Sequence, residues 1–376
     1  MASPETHARP MPDSTCRVAI VGGGPAGCAA ALALLQRGLD GVVLIEAGDY
    51  GRPRVGESLP PDTRELLMRL GLWEAFRQQG HDPCLGSCSA WGDDQIGYND
   101  FISNPHGSGW HLDRQRFERW LADEAVARGA RLLGGTRLNA LEPTAQGYRL
   151  HLRGQAPHTL HADYLIDASG GHARAARLLG ARFQELDQLI CLYGFFTRPA
   201  TAAANHLTLL EATEYGWWYR ASLPDGQLCI ALACDQPGLR ELGANDWRRW
   251  LNLLADTRHA AANLEGHGFD PSRMLASPAP SCRLDRITGH RWLAVGDAAS
   301  RFDPLLARGI HKALEDGLAA ADVIAGWLAN DDEPAQHYEE QIQQRYQEFR
   351  DMRRYLYAQE RRWPESPFWQ ARHGLA

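Results

Sequence analysis

A short apolar run over residues 17–21 leads without interruption into Gly22, Gly23, Gly24, Pro25, Ala26 and Gly27, a G-x-G-x-x-G turn directly behind an expected strand. Residues 28–37 are rich in Ala and Leu and are followed by Gly38, which predicts a helix with a glycine stop. A second apolar strand is expected over 42–45, ending at Glu46 and Ala47. A β-α-β unit built on this turn leaves few alternatives. Gly22 permits the tight turn, Gly24 lets backbone approach a pyrophosphate, and Gly27 lets helix and strand pack closely. The free N–H groups and dipole at the helix start, with Pro25 and Ala26, favour phosphate there. Glu46 is spaced to hold a ribose hydroxyl pair. The chain is expected to bind a dinucleotide.

A second nucleotide-facing segment lies far along the chain. Residues 292–295 predict a strand that ends in Gly296 and Asp297; Asp303, Pro304, Gly309 and Ile310 follow, and a helix is expected from about 311 to 328. Two such segments, one near each end, form the pattern of an FAD site. The second resembles the ribityl-binding segment of class A flavin monooxygenases. That resemblance implies that the Asp297 carboxylate contacts the ribityl chain and that Pro304 and Gly309 approach the isoalloxazine ring. Residues 109–121 resemble the same family's helix start that sets an arginine, here Arg114, against FAD. At 164–171 the run Asp167, Ala168, Ser169, Gly170, Gly171, followed by Arg174 and Arg177, matches the family's Asp-Gly fingerprint for NAD(P)H in part.

Composition narrows the classes. With 376 residues, 44% hydrophobic and 23% charged, the chain is too long for a minimal binding module and too apolar for a disordered one. A net charge of -7 with acids spread throughout disfavours a nucleic-acid partner. Residues 1–15 are polar and proline-containing, and read as a disordered leader, not an export signal; no run approaches a membrane span. The expected location is the cytoplasm, with the eight cysteines reduced. His81, Cys84 and Cys88 hint at metal, but no second ligand pair at zinc spacing accompanies them, so no metal is expected.

The expected fold class is α/β: a discontinuous, Rossmann-like FAD domain of the glutathione-reductase type over 16–182 and 282–330. Within it, an inserted antiparallel sheet over 183–281 would enclose substrate, and a helical segment over 331–376 would follow. Apolar runs at 189–196, 207–210, 217–223 and 228–234 are the expected strands of the insert. The C-terminal helix is expected either to cap the substrate side or to lie plainly on the surface.

Gly56, Glu57, Ser58, Leu59, Pro60 and Pro61, the strand with Gly216, Trp217, Trp218 and Tyr219, the Asp303-Pro304 turn, and the closing Arg362, Trp363, Pro364 and Phe368, Trp369 narrow the resemblance. They resemble the tryptophan-halogenase-like superfamily. More closely, they are similar to its non-halogenating branch, the flavoproteins that mature tryptophylquinone cofactors. Halogenases of this superfamily carry a substrate-side lysine between the Gly-Glu turn and the central sheet, whereas the single lysine here is Lys312. Their Glu-Ser-Thr-Gly run is replaced by Leu306, Ala307, Arg308, Gly309. Halogenation is therefore disfavoured.

The expectation is an FAD-dependent monooxygenase that hydroxylates an aromatic ring through a flavin C4a-hydroperoxide. An indole, free or as tryptophan in a peptide or protein, is the favoured substrate. Arg308 is expected beside the flavin edge as a fixed positive charge, Glu57 as the group that orients it or acts as base, and His311 as a second proton carrier. Trp217, Trp218 and Tyr219 are expected to wall the substrate. Reducing equivalents come from NADH, NADPH or a separate flavin reductase. The alternatives are a flavin dehydrogenase or reductase of a small unsaturated molecule, and a maturation factor that holds FAD while binding a client protein.

Overall fold

The computed structural model describes residues 14–154 and 158–374. Of the expected leader, residues 1–13 lie outside the described residues. Ser14 and Thr15 already belong to the first strand, Ser14–Val21, opposite Leu160 and His161.

Val18, Ala19 and Ile20 in that strand are fully buried, as suits a central strand covered on both faces. It pairs in parallel with Val42–Ile45 on one side and His158–Asp167 on the other. Arg131–Leu133 and Trp292–Ala294 extend the parallel sheet outward, and the hairpin Arg137–Thr144/Gly147–Arg153 joins it antiparallel. The first helix, Pro25–Gln36, is buried from Ala26 to Leu34 because it is covered by the helix Gly309–Ala329. Small residues make that contact possible: a Cβ on Gly317 would stand 2.6 Å from the Ala26 carbonyl oxygen and from the Ala29 Cβ.

The second sheet runs in the order Gly268–Phe269, Leu189–Thr197, Gln227–Asp235, Gly216–Leu223, Leu207–Thr213, Gly86–Ala90, Gly97–Asp100, and Leu275–Pro278 also pairs with Leu189–Thr197. All four expected strands are present. The sheet also recruits Gly86–Ala90, which runs parallel to Leu207–Thr213, so it is neither wholly antiparallel nor confined to residues 183–281. Where the chain passes between the two layers, Phe183–Glu185 pairs with Cys282–Leu284.

Alternation along the second sheet gives it two different faces. Leu192, Phe196, Trp218, Ile230 and Leu232 point to a core completed by Trp250, Leu253 and Leu254 of the helix Trp247–Ala255. Cys191, Tyr193, Trp217, Ala221 and Cys229 point the other way, and Tyr357, Phe368 and Trp369 from the helices Glu333–Gln359 and Pro367–His373 cover part of that face. The Trp369 indole donates to the Thr213 carbonyl at 2.9 Å, and Arg372 holds Asp235 through two bonds of 2.7 and 2.8 Å. The C-terminal segment is thus packed into the sheet and does not lie plainly on the surface. Among the described residues no helix is long and apolar enough to cross a membrane.

Candidate active site

The glycine turn has the shape its sequence requires. Gly22 has φ of 115°, and a Cβ there would stand 2.1 Å from the Ala168 carbonyl oxygen; a Cβ on Gly27 would stand 2.0 Å from that of Gly22. Gly24 differs, because a Cβ there would meet nothing within 4 Å. Gly24 is also the N-cap of the first helix and has no side-chain cap, so the amides behind Pro25 face open space. Glu46 reaches back to this turn and accepts from Gly23 N at 2.8 Å and Gly48 N at 2.7 Å, while Ala47 beside it is exposed. An uncapped helix start with an open cradle above it and a carboxylate at its edge fits the diphosphate and ribose of FAD.

The second nucleotide segment is held from behind. Gly296 N donates to Asp316 Oδ2 at 2.9 Å, and Lys312 Nζ donates to the Gly296 carbonyl at 2.7 Å and to Asp316 Oδ2 at 3.1 Å. All three residues are buried, so the single lysine of the chain anchors the turn before Asp297. Asp297 is half exposed, 3.9 Å from Arg301 Nε, and free to take a ribityl hydroxyl. Gly309, like Gly24, leaves space where a side chain would be, and Ile310 beside it is buried. Pro304 opens a short turn capped by Asp303, whose Oδ1 accepts from Leu305 N at 3.0 Å.

Arg114 donates to the Val55 carbonyl at 2.5 Å, to that of Gly56 at 2.7 Å and to Glu118, while its Nε is buried without a partner. Its observed work is to clamp the loop in front of Glu57. Asp167 is spent internally: it accepts from Ser169 N and Oγ and from Ala176 N, which fixes the following short helix.

Glu57 is 1% exposed; its carboxylate oxygens make no well-aligned hydrogen bond, and the Cys229 thiol and the backbone of Gly56 and Glu57 are the polar groups beside them. Burial pushes its carboxyl above the ordinary range, opposed by the Arg114 guanidinium. Its field acts on Tyr193, Tyr219 and Cys229, which places it against the sheet face that carries those residues. Tyr219 Oη lies 3.1 Å from Ser58 Oγ, beside Glu57 in the chain. A buried acid among phenols and a thiol can hydrogen-bond a bound ring system.

The expected aromatic wall divides. Trp217 and Tyr219 share the face of Tyr193 and Cys229, but Trp218 points to the opposite core and packs on Trp250 with ring centroids 5.3 Å apart. Trp218 therefore does not wall a site with the other two: in a strand, consecutive side chains emerge on opposite faces.

Arg308 and His311 are brought together, and Asp62 joins them. Arg308 Nη1 is 2.7 Å from Asp62 Oδ2; His311 Nδ1 is 3.0 Å from Thr63 Oγ1 and 3.5 Å from Asp62 Oδ1. The expected fixed positive charge is thus matched by a carboxylate, and the charge opposing the shift at Glu57 comes from Arg114. Burial, and then Arg308, hold the His311 imidazole below its ordinary value, so it is neutral near pH 7.

Sequence reasoning missed Asp62, Thr63, Tyr193 and Cys229, all at the site, and Arg353 and Tyr357, which reach Asp303 from the C-terminal helix. Alternation along 189–196 could have put Tyr193 on one face with Cys191, but no local signal pairs Asp62 with Arg308.

The family described as FAD binding domain matches residues 15–351. LodB of Marinomonas mediterranea, which carries the name of an FAD-dependent oxidoreductase, is 29% identical over 360 residues, 95% of this chain and 96% of its own. Against flavin-dependent halogenases of Armillaria mellea the chain spans 65% to 67% of their length. Among solved structures, the flavin-dependent halogenase CmlS superimposes with a TM-score of 0.84 at 28% identity, covering 96% of this chain and 68% of that one. The peptidyl tryptophan dihydroxylase QhpG, essential for tryptophylquinone cofactor biogenesis, gives 0.73 at 26% identity over 96% and 79%. This chain belongs to the FAD binding domain family and is one of its halogenase-like, flavin-dependent oxidoreductases.

Proposed function

We propose that the chain is a monooxygenase that hydroxylates an aromatic ring, with an indole as substrate, and specifically tryptophan within a peptide or protein. The observation that carries the reading is Glu57: a fully buried acid whose oxygens make no well-aligned hydrogen bond, beside the Cys229 thiol on the sheet face that carries Tyr193, Trp217 and Tyr219. A buried acid without well-aligned hydrogen bonds is costly, and retaining one is understandable where a ligand completes them. An indole N–H is such a donor, and aromatic side chains are suitable walls for its ring. The likeness to QhpG, a peptidyl tryptophan dihydroxylase, supports the same substrate class.

FAD, when bound, supplies the two electrons that activate dioxygen. The residues that would hold it are Gly22, Gly24 and Gly27 at the diphosphate, Glu46 at the ribose, and Asp297 at the ribityl chain. The protein's own part is placement and proton management. Glu57, whose carboxyl burial shifts toward the protonated form, orients the substrate N–H and exchanges a proton as the ring is oxidised. His311, neutral and bonded to Thr63, is a second proton carrier, with Asp62 and Arg308 fixing its surroundings. Buried side chains around Glu57 exclude water. The reductant is NADH, NADPH or a separate flavin reductase.

The second reading is halogenation, favoured by the similarity to flavin-dependent halogenases such as CmlS; the lysine pattern of the sequence speaks against it. The lysine it requires is absent from the substrate side, and Lys312 is locked between Gly296 and Asp316. The test is to incubate the FAD-loaded protein with a reductant, 18O2, chloride and a tryptophan-containing peptide, and to read the product mass. Incorporation of 18O into the indole is the expected result. A chlorinated product would establish the halogenase reading, and a desaturated or reduced product without 18O would establish a dehydrogenase or reductase.

A further inference from the structure

A buried hydrogen-bond chain runs between the two halves of the site. Trp217 Nε1 is 3.0 Å from Tyr357 Oη, and Tyr357 Oη is 2.9 Å from Asp303 Oδ2. The direction is fixed, because an indole nitrogen can only donate. Tyr357 therefore accepts from Trp217 and turns its single proton to Asp303. Arg353 Nε reaches the same Asp303 oxygen at 3.2 Å while its Nη2 holds Asp187 at 3.0 Å. Trp217, Tyr357, Asp303 and Arg353 are each 3% exposed or less, so water does not compete for these bonds.

The ends of this chain are the informative part. Trp217 lies on the sheet face that carries Tyr193 and Cys229, the residues beside Glu57. Asp303 caps the turn that begins at Pro304, the turn whose resemblance places it at the flavin ring. Its preceding residue, Phe302, is stacked on Phe349 of the same C-terminal helix, with centroids 4.4 Å apart and planes 2° apart. Among the described residues, Tyr357 Oη is the atom that bonds both the substrate-side sheet and the flavin-side turn.

We infer that Tyr357 is a positioning residue that couples the substrate face, through Trp217, to the Asp303-Pro304 turn, so that a change at the substrate ring site alters the surroundings of the flavin. The inference rests on the reading that this turn faces the flavin. A single donor-acceptor chain in a dry interior transmits displacement, because moving Trp217 either drags the Tyr357 hydroxyl or leaves a buried N–H unpaired.

The experiment is a double-mutant cycle on the FAD-loaded protein, read by the visible flavin band and the midpoint potential. FAD content and thermal melting are followed alongside. Trp217→Phe and Tyr357→Phe should each shift the band and the potential in the same sense, and the double variant should shift no further than Tyr357→Phe alone. Additive shifts, or a flavin unchanged in either single variant, would overturn the coupling. If Tyr357→Phe does not retain FAD, Trp217→Phe, which leaves the Tyr357–Asp303 bond in place, must still shift the flavin or the inference fails. Trp218→Phe, on the opposite face, must leave the flavin unchanged; an equal shift there would reduce the effect to general loosening of the sheet and refute the inference. Asp303→Asn separates the two ways of failing. A flavin that responds to Asp303→Asn but to neither aromatic variant keeps the turn at the flavin and removes the coupling, whereas a flavin blind to Asp303→Asn removes both.

Discussion

Replacing Lys312 by methionine tests whether the single lysine is an anchor for the flavin-side turn. The ammonium donates to the Gly296 carbonyl and to Asp316 Oδ2, at 3% exposure. Methionine has similar volume, so no large cavity opens, and the loss is electrostatic. Asp316 is fully buried; Arg345 Nη2 stands 2.9 Å from its other oxygen, without the alignment of a hydrogen bond. Breaking a buried pair by removing one partner costs about 3–5 kcal/mol, and the remaining arginine puts this case near ~3 kcal/mol. Unfolding entropy of about 2 cal/mol/K per residue gives the 376-residue chain ~0.8 kcal/mol/K, so the melting midpoint should fall by ~4 °C if unfolding is cooperative. Thermal unfolding followed by circular dichroism and by flavin fluorescence, with coincident transitions, is the assay. Lys312→Met/Asp316→Asn should recover part of the loss, because the amide oxygen still accepts from Gly296 N, Arg345 keeps Glu315, and no unpaired buried carboxylate remains. A shift of less than about 1 °C for Lys312→Met would refute the anchoring argument.

Gly24→Val should yield folded protein with little bound FAD, since the side chain enters the open cradle; full yellow colour after purification would contradict the phosphate-loop assignment. Glu57→Gln bears on stability as a function of pH. A carboxyl whose folded value is raised contributes stability that is present at low pH and lost as pH rises toward that raised value. Glu57→Gln should therefore melt increasingly above the wild type as pH rises from the ordinary carboxylate value of about 4, and a difference that shrinks with pH would show that Glu57 is charged and paired. Trp218→Ala should cost ~3–5 kcal/mol through the cavity it leaves against Trp250, with the visible flavin band unaltered; denaturant titration and the absorption spectrum measure both.

Much of the fold was legible because it rests on local rules. Strand, glycine turn, helix and acid lie within residues 14–46, and Gly22 and Gly27 answer contacts made inside that unit or with the adjoining strand end at Ala168. The long helix after Gly309 was visible in its alanine and leucine run, and the four central strands in their apolar runs. Other features were not legible. Gly86–Ala90 carries no sign that it will lie beside Leu207–Thr213, since the pairing spans more than a hundred residues and is set by which edge is free. Trp217, Trp218 and Tyr219 read as one aromatic cluster, and the strand period divides them between two faces once the register is set.

By itself the sequence determined that a glycine turn of the dinucleotide-binding kind follows the first strand, that Glu46 and Asp297 each follow an apolar strand, and that the chain holds a single lysine, Lys312. These follow from short spacings and from residue identity, which folding does not change. Tertiary structure alone decided the electrostatic partners: Arg308 is matched by Asp62, Lys312 is buried with Asp316, Glu57 is left without a well-aligned hydrogen bond among tyrosines and the Cys229 thiol, and Asp303 is reached by Tyr357 and Arg353 from a helix some fifty residues away. The physical reason is that a buried charge is set by the groups packed around it, and packing joins residues whose distance in the chain carries no signal of their meeting.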